Sequence, residues 1–412
     1  MKKIVYSCAA LLLTVILLCI TLASCGDGAV ETLYVYNWGE YISDGSEGSV
    51  DVNEVFEQYY FEKYGKRIVV NYSTYSSNED MYAKLSSGAS TYDVVVPSDY
   101  MIQRMVAEDM LLPLDLSRIP NYAYVSDEFK GENVYYEDGS ENVYSVPYFY
   151  GMVGIIYNTA IVAENDEQIG SWDLMWDEQY TGDILQFNNS RDAFGTALYK
   201  LGYDVNHATE AEWREALALL MEQKNIVQGY VMDENFNKMK SGSAAVSAYY
   251  AGDFFAMYEE NEDLAFYYPQ NVTNSYIDAM CIPKTAQNPE LAMEYINFMC
   301  SEEIGVANAL YTYYASPLTT VISNQDYIDG MNEVHEDAMD ILYGQSHSVA
   351  TQPYLNLSPK DLVMLNGLWE ELKVESSIGP GIYACCIVIL AALILLVIWQ
   401  TLKKRRWAKL YD

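Results

Sequence analysis

The stretch Thr32–Ile42, TLYVYNWGEYI, decides the fold. Leu33–Asn37 is short, apolar and aromatic, which predicts a strand. Trp38, Glu40 and Tyr41 then gather at its exit. In α/β folds the tips of strands are where ligand sites form. An indole face beside a carboxylate suits an organic cation, because the ring attracts positive charge through its quadrupole and the carboxylate does so directly.

Working outward, strand and helix patterns alternate. Val50–Tyr64 carries apolar residues at Val52, Val55, Phe56, Tyr59 and Tyr60, a helical spacing, and Gly65 follows as a stop. Arg67–Tyr72 predicts the next strand and Asn78–Leu85 a helix. Asp93–Val96 is a short apolar run of the kind found in parallel sheets, and a helix from Tyr100 to Ala107 follows the turn Pro97-Ser98-Asp99. This βαβαβα order predicts an α/β, doubly wound sheet. Residues 120–143 are polar and irregular. Beyond them the patterns predict strands at Val153–Tyr157, Ile184–Phe187, Ala244–Tyr249, Leu264–Tyr268 and Tyr276–Ile282. Helices are expected at Ser190–Leu201, Glu210–Glu222, Pro289–Met299 and Asp361–Leu372.

A chain of 412 residues is too long for one core and implies two lobes. The formal charge of −35 argues against nucleic acid, which needs a basic face, and favours the approach of cations. Outside the two ends the only cysteines are Cys281 and Cys300, which leaves one bridge or two buried thiols open. His207, His335 and His347 are scattered; no CxxC, metal-spaced cluster or hydrolase motif is present, so no cofactor is expected.

The ends read differently from the body. Lys2 and Lys3, an apolar run from Ile4 to Ile20 and then Leu22-Ala23-Ser24-Cys25 resemble a bacterial lipoprotein leader over residues 1–25, which implies lipid on Cys25. Residues 375–381 read as a linker. Residues 382–402 form an apolar stretch of spanning length, and the basic tail 403–412 should stay cytoplasmic. Both features place the body on the outer face of a cell membrane.

Six segments now stand in register: TLYVYNWGEYI, STYSSNEDMYAKL (Ser73–Leu85), YDVVVPSDY (Tyr92–Tyr100), SWDLMWDEQYTGDIL (Ser171–Leu185), NNSRDAFGTALYKLGY (Asn188–Tyr203) and YIDAMCIPKTAQNPELAMEYINFM (Tyr276–Met299). In this order the chain resembles the bacterial spermidine/putrescine-binding proteins of ABC importers, over about Thr32 to Lys373. The resemblance implies a type II periplasmic-binding-protein fold with discontinuous lobes. These would be 31–143 with 275–315, and 144–274 with 316–374, with crossings near 142–146 and 271–276. It implies a polyamine held between rings and carboxylates, then delivery to ABC permease subunits with an ATPase, and no catalysis.

By the same resemblance the ligand residues are Trp38, Glu40, Tyr41, Ser98, Tyr100, Asn189, Arg191, Asp192, Tyr249, Tyr276, Asp278 and Tyr314, with Asn356 as a late polar contact. Gly39 stands where the family's spermidine binder has threonine, Asn189 where it has aspartate, and Tyr249 and Tyr276 where it has tryptophans. Three candidate carboxylates remain, Glu40, Asp192 and Asp278, enough for a diamine and leaving the choice of amine open. Two other readings stand beside this one. The adjacent Tyr313 and Tyr314 suggest a ferric-iron receptor of the same fold, and the spanning segment suggests a membrane-anchored sensor ectodomain.

Overall fold

The computed structural model describes residues 30–130, 142–344 and 348–374, with three further positions at 388, 399 and 400. The expected leader with Cys25 lies outside the described residues, as do His347, the linker up to residue 380 and all but three positions of the expected spanning segment. Among the described residues no helix is long and apolar enough to cross a membrane.

The first part of the chain follows the βα alternation. It runs β1 (Glu31–Trp38), α1 (Val52–Tyr64), β2 (Ile68–Tyr75), α2 (Asn78–Ser86), β3 (Val94–Val95) and α3 (Asp99–Ala107). Local chemistry sets the ends of these helices. The Asp51 carboxylate accepts from the Glu54 amide at the start of α1, and Gly65 closes that helix at φ 66°, a conformation that glycine adopts freely. Ser77 caps α2 in the same way through the Asp80 amide.

The chain continues through β4 (Ser145–Asn158), β5 (Ile184–Phe187), α4 (Ser190–Leu201), α5 (Glu210–Gln223), β6 (Val227–Val231), α6 (Glu234–Lys240), β7 (Val246–Tyr250) and α7 (Ala251–Tyr258). There follow β8 (Leu264–Tyr267), β9 (Ser275–Cys281), α8 (Pro289–Met299), α9 (Glu302–Thr312), α10 (Thr319–Ile322), α11 (Gln325–Val334) and α12 (Pro359–Val374).

Strand β4 is the spine of the molecule. Its first half, Ser145–Met152, pairs antiparallel with β9. β9 joins it to the parallel set β3, β1 and β2. Its second half, Val153–Asn158, pairs with β7 and β8, and β7 carries the parallel strands β5 and β6. The full order is β2-β1-β3-β9-β4-β7-β5-β6, with β8 on β4. The α/β layering expected from the sequence is therefore present.

Several elements differ from the expectation. β4 starts eight residues before Val153. Its first half is buried on both faces, so polar and apolar residues do not alternate, and Pro147 reads as a breaker. The ladder accommodates that proline with a register shift between Pro147 and Phe149. Helix α7 follows β7 without a break, and six of its eight residues are buried. An apolar run of that length carries no helical period against which to detect it. β6, α6, α9 and α11 were likewise not anticipated. Cys281 and Cys300 are free and buried, not bridged. Burial pushes the Cys300 thiol up to about 12, as expected for an inert apolar thiol.

Asp93 holds the first sheet to its helical cover. It is 1% exposed, and its carboxylate accepts from the backbone amides of Tyr34, Gln287 and Asn288 at 3.0, 2.8 and 2.7 Å. One side chain thus fastens β1 and the N-terminus of α8. Replacement by alanine leaves three buried donors without acceptors. Asp93→Ala should lower unfolding free energy by about 3 kcal/mol. Urea denaturation reads this as a lower midpoint at unchanged slope.

Candidate functional site: an acidic, ring-lined cleft

The C-terminal tips of the parallel strands in both sheets open onto one cavity. From the first sheet come Trp38 and Tyr41 after β1, Ser77 to Glu79 after β2, and Ser98 to Tyr100 after β3. From the second come Asn189 and Asp192 after β5, Met232 and Asp233 after β6, and Tyr249, Tyr250 and Asp253 at the end of β7. β9, which leads into the first sheet, supplies Tyr276 and Asp278, with Asn274 one step before them. These three alternate with Ser275 and Ile277, so they share a face of the strand.

Asp278 is the best-defined acid in the cavity. It is 5% exposed and accepts from the Tyr41 hydroxyl at 2.7 Å and the Ser98 hydroxyl at 2.6 Å. Ser98 is itself braced by Asn78, whose amide group donates to the Ser98 hydroxyl and accepts from the Ser98 backbone N–H. Burial lifts Asp278 to about 6, against the pull of its two hydroxyl donors. Trp38 is fixed through its indole N–H on the Val96 carbonyl at 2.9 Å. Tyr41 meets the Tyr314 ring edge-on at 4.6 Å.

On the opposite wall Asp192 accepts from the Asn189 side-chain amide at 2.7 Å and the Tyr250 hydroxyl at 2.9 Å. Asn189 also caps α4 by accepting from the Asp192 N–H at 2.8 Å. It lines the cavity, but its amide serves Asp192 twice. Desolvation raises Asp192 as well.

Arg191 is buried and stands outside the cavity lining. Its guanidinium donates to the carbonyls of Val205 and Leu355 and to the Asn206 side chain, and it lies 4.5 Å from the Tyr354 ring centroid. It therefore braces the loop that brings Tyr354 into the cavity. Tyr100 lines the cavity and donates to Glu79 at 2.9 Å. Asn356 is not among the lining residues; its backbone N–H is held by Gln103.

Sequence reading missed residues that the structure brings into the site. Asp253, on the first turn of α7, is 5% exposed. Burial raises it to about 8, opposed by a hydrogen bond from Tyr314. Tyr249 does line the cavity, stacked on Phe187 at 5.6 Å. It is its neighbour Tyr250, however, whose ring meets Tyr276 at 5.3 Å. The strand-tip rule applied at Tyr36–Tyr41 would have found both Tyr250 and Asp253 had it been applied again at the end of β7. Tyr354 and Asp233 had no such signal: one sits in a loop before α12, the other after the unanticipated β6.

Glu40 is exposed, in a left-handed conformation at φ 50°. It lies outside the cavity proper and lines a wider vestibule with Asp80, Asp233, Glu234, Asp253, Glu259 and Glu260. Among the described residues the one basic side chain lining it, Lys240, is held by Glu260 at 2.6 Å. Of the two adjacent tyrosines, Tyr313 lines the vestibule and donates to Glu259, whereas Tyr314 lines the cavity. The two phenols face different spaces and do not make a paired iron site.

No lysine, arginine or histidine lines the inner cavity among the described residues. Asp192, Asp253 and Asp278 accept from hydroxyls and an amide, which fill lone pairs without cancelling charge. Such a site is built for a guest that brings N–H donors and positive charge together.

The family of bacterial extracellular solute-binding proteins matches residues 56–335. The spermidine/putrescine-binding periplasmic protein of Salmonella typhimurium is 31% identical over 288 residues, covering 70% of this chain and 78% of its own. The putrescine/cadaverine-binding protein of Pseudomonas aeruginosa is 26% identical over 361 residues, covering 84% and 95%. A solved Listeria monocytogenes protein assigned to a spermidine/putrescine ABC transporter superimposes with a TM-score of 0.72. It shares 32% identity, with 83% of this chain and 99% of that one covered.

The raised acids make the empty protein pH-sensitive. A carboxyl whose native pKa exceeds its unfolded value stabilises the fold while protonated, and that contribution is lost as pH rises through the native value. Asp278 loses its share by about pH 6 and Asp253 by about pH 8. Between pH 6 and 8 the ligand-free protein should lose about 1 kcal/mol per pH unit. Asp253→Asn should flatten that slope. Urea midpoints at the two pH values, with and without the substitution, measure both effects.

Proposed function

We propose a polyamine as the guest of this cleft, because the chain belongs to the family of bacterial extracellular solute-binding proteins and its cavity offers buried acids without cationic partners. The reading makes it the substrate-binding component of a polyamine ABC importer, which captures its ligand and hands it to permease subunits coupled to an ATPase. Its work is capture, not catalysis. The names borne by its relatives, spermidine/putrescine-binding and putrescine/cadaverine-binding proteins, support the same class of ligand.

The observation that carries the proposal is the trio Asp192, Asp253 and Asp278. Each is buried, each is raised by desolvation, and each accepts hydrogen bonds only from neutral groups. Rings of Trp38, Tyr250, Tyr276 and Tyr314 stand around them. The methylene chain of a polyamine packs on such rings while its ammonium groups meet the acids. Arrival of the cation holds the acids ionised, so binding releases protons at neutral pH.

In this proposal the two lobes are 31–143 with 275–315 and 144–274 with 316–374. The segments joining them are the start of β4 and the approach to β9, and the lobes close over the ligand by hinge motion. Lipid on Cys25 and the apolar segment 382–402 would keep the body at the outer face of the membrane.

Isothermal titration with putrescine, cadaverine and spermidine tests the function; absence of heat with all three would overturn it. Asp278→Asn should weaken binding about 100-fold, because the charge is lost and the single amide oxygen can accept from only one of Tyr41 and Ser98. Trp38→Ala should weaken it about tenfold through the lost ring face.

A further inference from the structure

Gly39 is the point where the two sheets approach most informatively. A Cβ placed there would lie 3.1 Å from Asp233 Oδ2 and 3.7 Å from its Cγ. Asp233 comes from the loop after β6 in the second sheet, Gly39 from the loop after β1 in the first. The missing side chain lets the Asp233 carboxylate sit a few tenths of an ångström closer to the β1 loop than a Cβ there would allow. Asp233 lines both the inner cavity and the vestibule, as does Asp253, so the two stand at the passage between these spaces. Glu40, next to Gly39, lines the vestibule on the opposite side.

These acids repel one another. Asp233 is raised by burial first, then by Glu234 and Glu40, and Asp253 is raised by burial and then by Asp233, Glu40 and Asp278. Lys240, the one cation lining the vestibule among the described residues, is engaged by Glu260. A second, independent feature calls for a donor in the same cavity. Asn274 is 3% exposed and lines it, and its amide oxygen has no hydrogen-bond partner among the described residues. The passage therefore concentrates negative charge, and the inner cavity it opens into holds a buried acceptor that lacks a donor.

We propose that Asp233 is a specificity-determining residue of the cleft: seated over Gly39 and opposed to Glu40, its carboxylate makes closure of the mouth conditional on a cation lying between the two sheets. A neutral or anionic guest leaves like charges facing each other at the mouth, whatever its fit inside. A cationic guest bridges Glu40 and Asp233 and turns the repulsion into two attractions. The inference rests on the reading of the cleft as a cation receptor, but its central test requires no ligand.

The test is hydrogen–deuterium exchange on the full-length, ligand-free chain, following peptides that contain Gly39 and Glu40 on one side and Asp233 on the other. Asp233→Lys replaces repulsion across the mouth by attraction. It should slow exchange of the Gly39–Glu40 peptide at least tenfold, although that peptide is unchanged in sequence. Adding Glu40→Lys restores a like-charge mouth and should return exchange to the wild-type rate. Asp233→Asn should give a smaller slowing, about threefold. All these side chains are exposed, so the variants should fold. Unchanged exchange at Gly39–Glu40 in Asp233→Lys, or slowing that Glu40→Lys does not reverse, would overturn the proposal. A wild-type protein that binds no polyamine while showing the expected exchange pattern would overturn the functional reading and leave the cross-cleft repulsion standing.

Discussion

The structure turns on buried carboxylates that have hydrogen bonds but no counter-charge. Removing an ion from water is costly, and a protein usually offsets this with an opposite charge. Here the partners of Asp278 are the hydroxyls of Tyr41 and Ser98, and those of Asp192 are an amide and the Tyr250 hydroxyl. These bonds fix where each acid points without neutralising it. The tyrosines thereby serve two purposes: the hydroxyl end orients an acid and the ring forms a wall. A tryptophan in place of Tyr250 would offer a larger face but could not hold Asp192 through a hydroxyl.

The fold explains why such acids meet at all. Each lies at or beside a strand tip, where the pleated ladder ends and a side chain can turn toward open space. β4 belongs to both sheets, so the tips of the two parallel sets point into one cleft. Arg191, next to Asp192 in the chain, is held behind the wall. Its donors go to two backbone carbonyls and Asn206, and its plane lies against Tyr354. It lowers Asp192 only as a minor influence after desolvation and the hydrogen bonds. The arrangement keeps a cation close enough to brace the loop but not in the space where it would compete with a guest.

How much of this was legible in the sequence depends on the kind of signal each residue carried. Trp38, Tyr41, Ser98, Tyr100, Asp192, Tyr276, Asp278 and Tyr314 all fall on the cavity wall, because strand tips and family motifs can be read locally. Glu40 was placed in the same neighbourhood but belongs to the vestibule, since the left-handed turn at that residue is invisible in the residue types. Arg191 was read as part of the ligand shell and proves to act through Tyr354, a contact made across a long separation in the chain. β4 was half found, because a strand buried on both faces loses its alternation. Asp233 and Asp253 follow elements whose patterns are weak or uniformly apolar, so nothing near them announced a site.

The departures from the family pattern take on a different sense once these two acids are in place. Asparagine at 189 and glycine at 39 remove an acid and a hydroxyl from positions where the resemblance expects them. Asp253 and Asp233 supply carboxylates that line both the cavity and the vestibule, the second packed close over Gly39. Negative charge thus lines the passage as well as the inner cavity. Charge at the mouth can select by sign, which an aromatic wall alone, attracting every methylene alike, has no means to do.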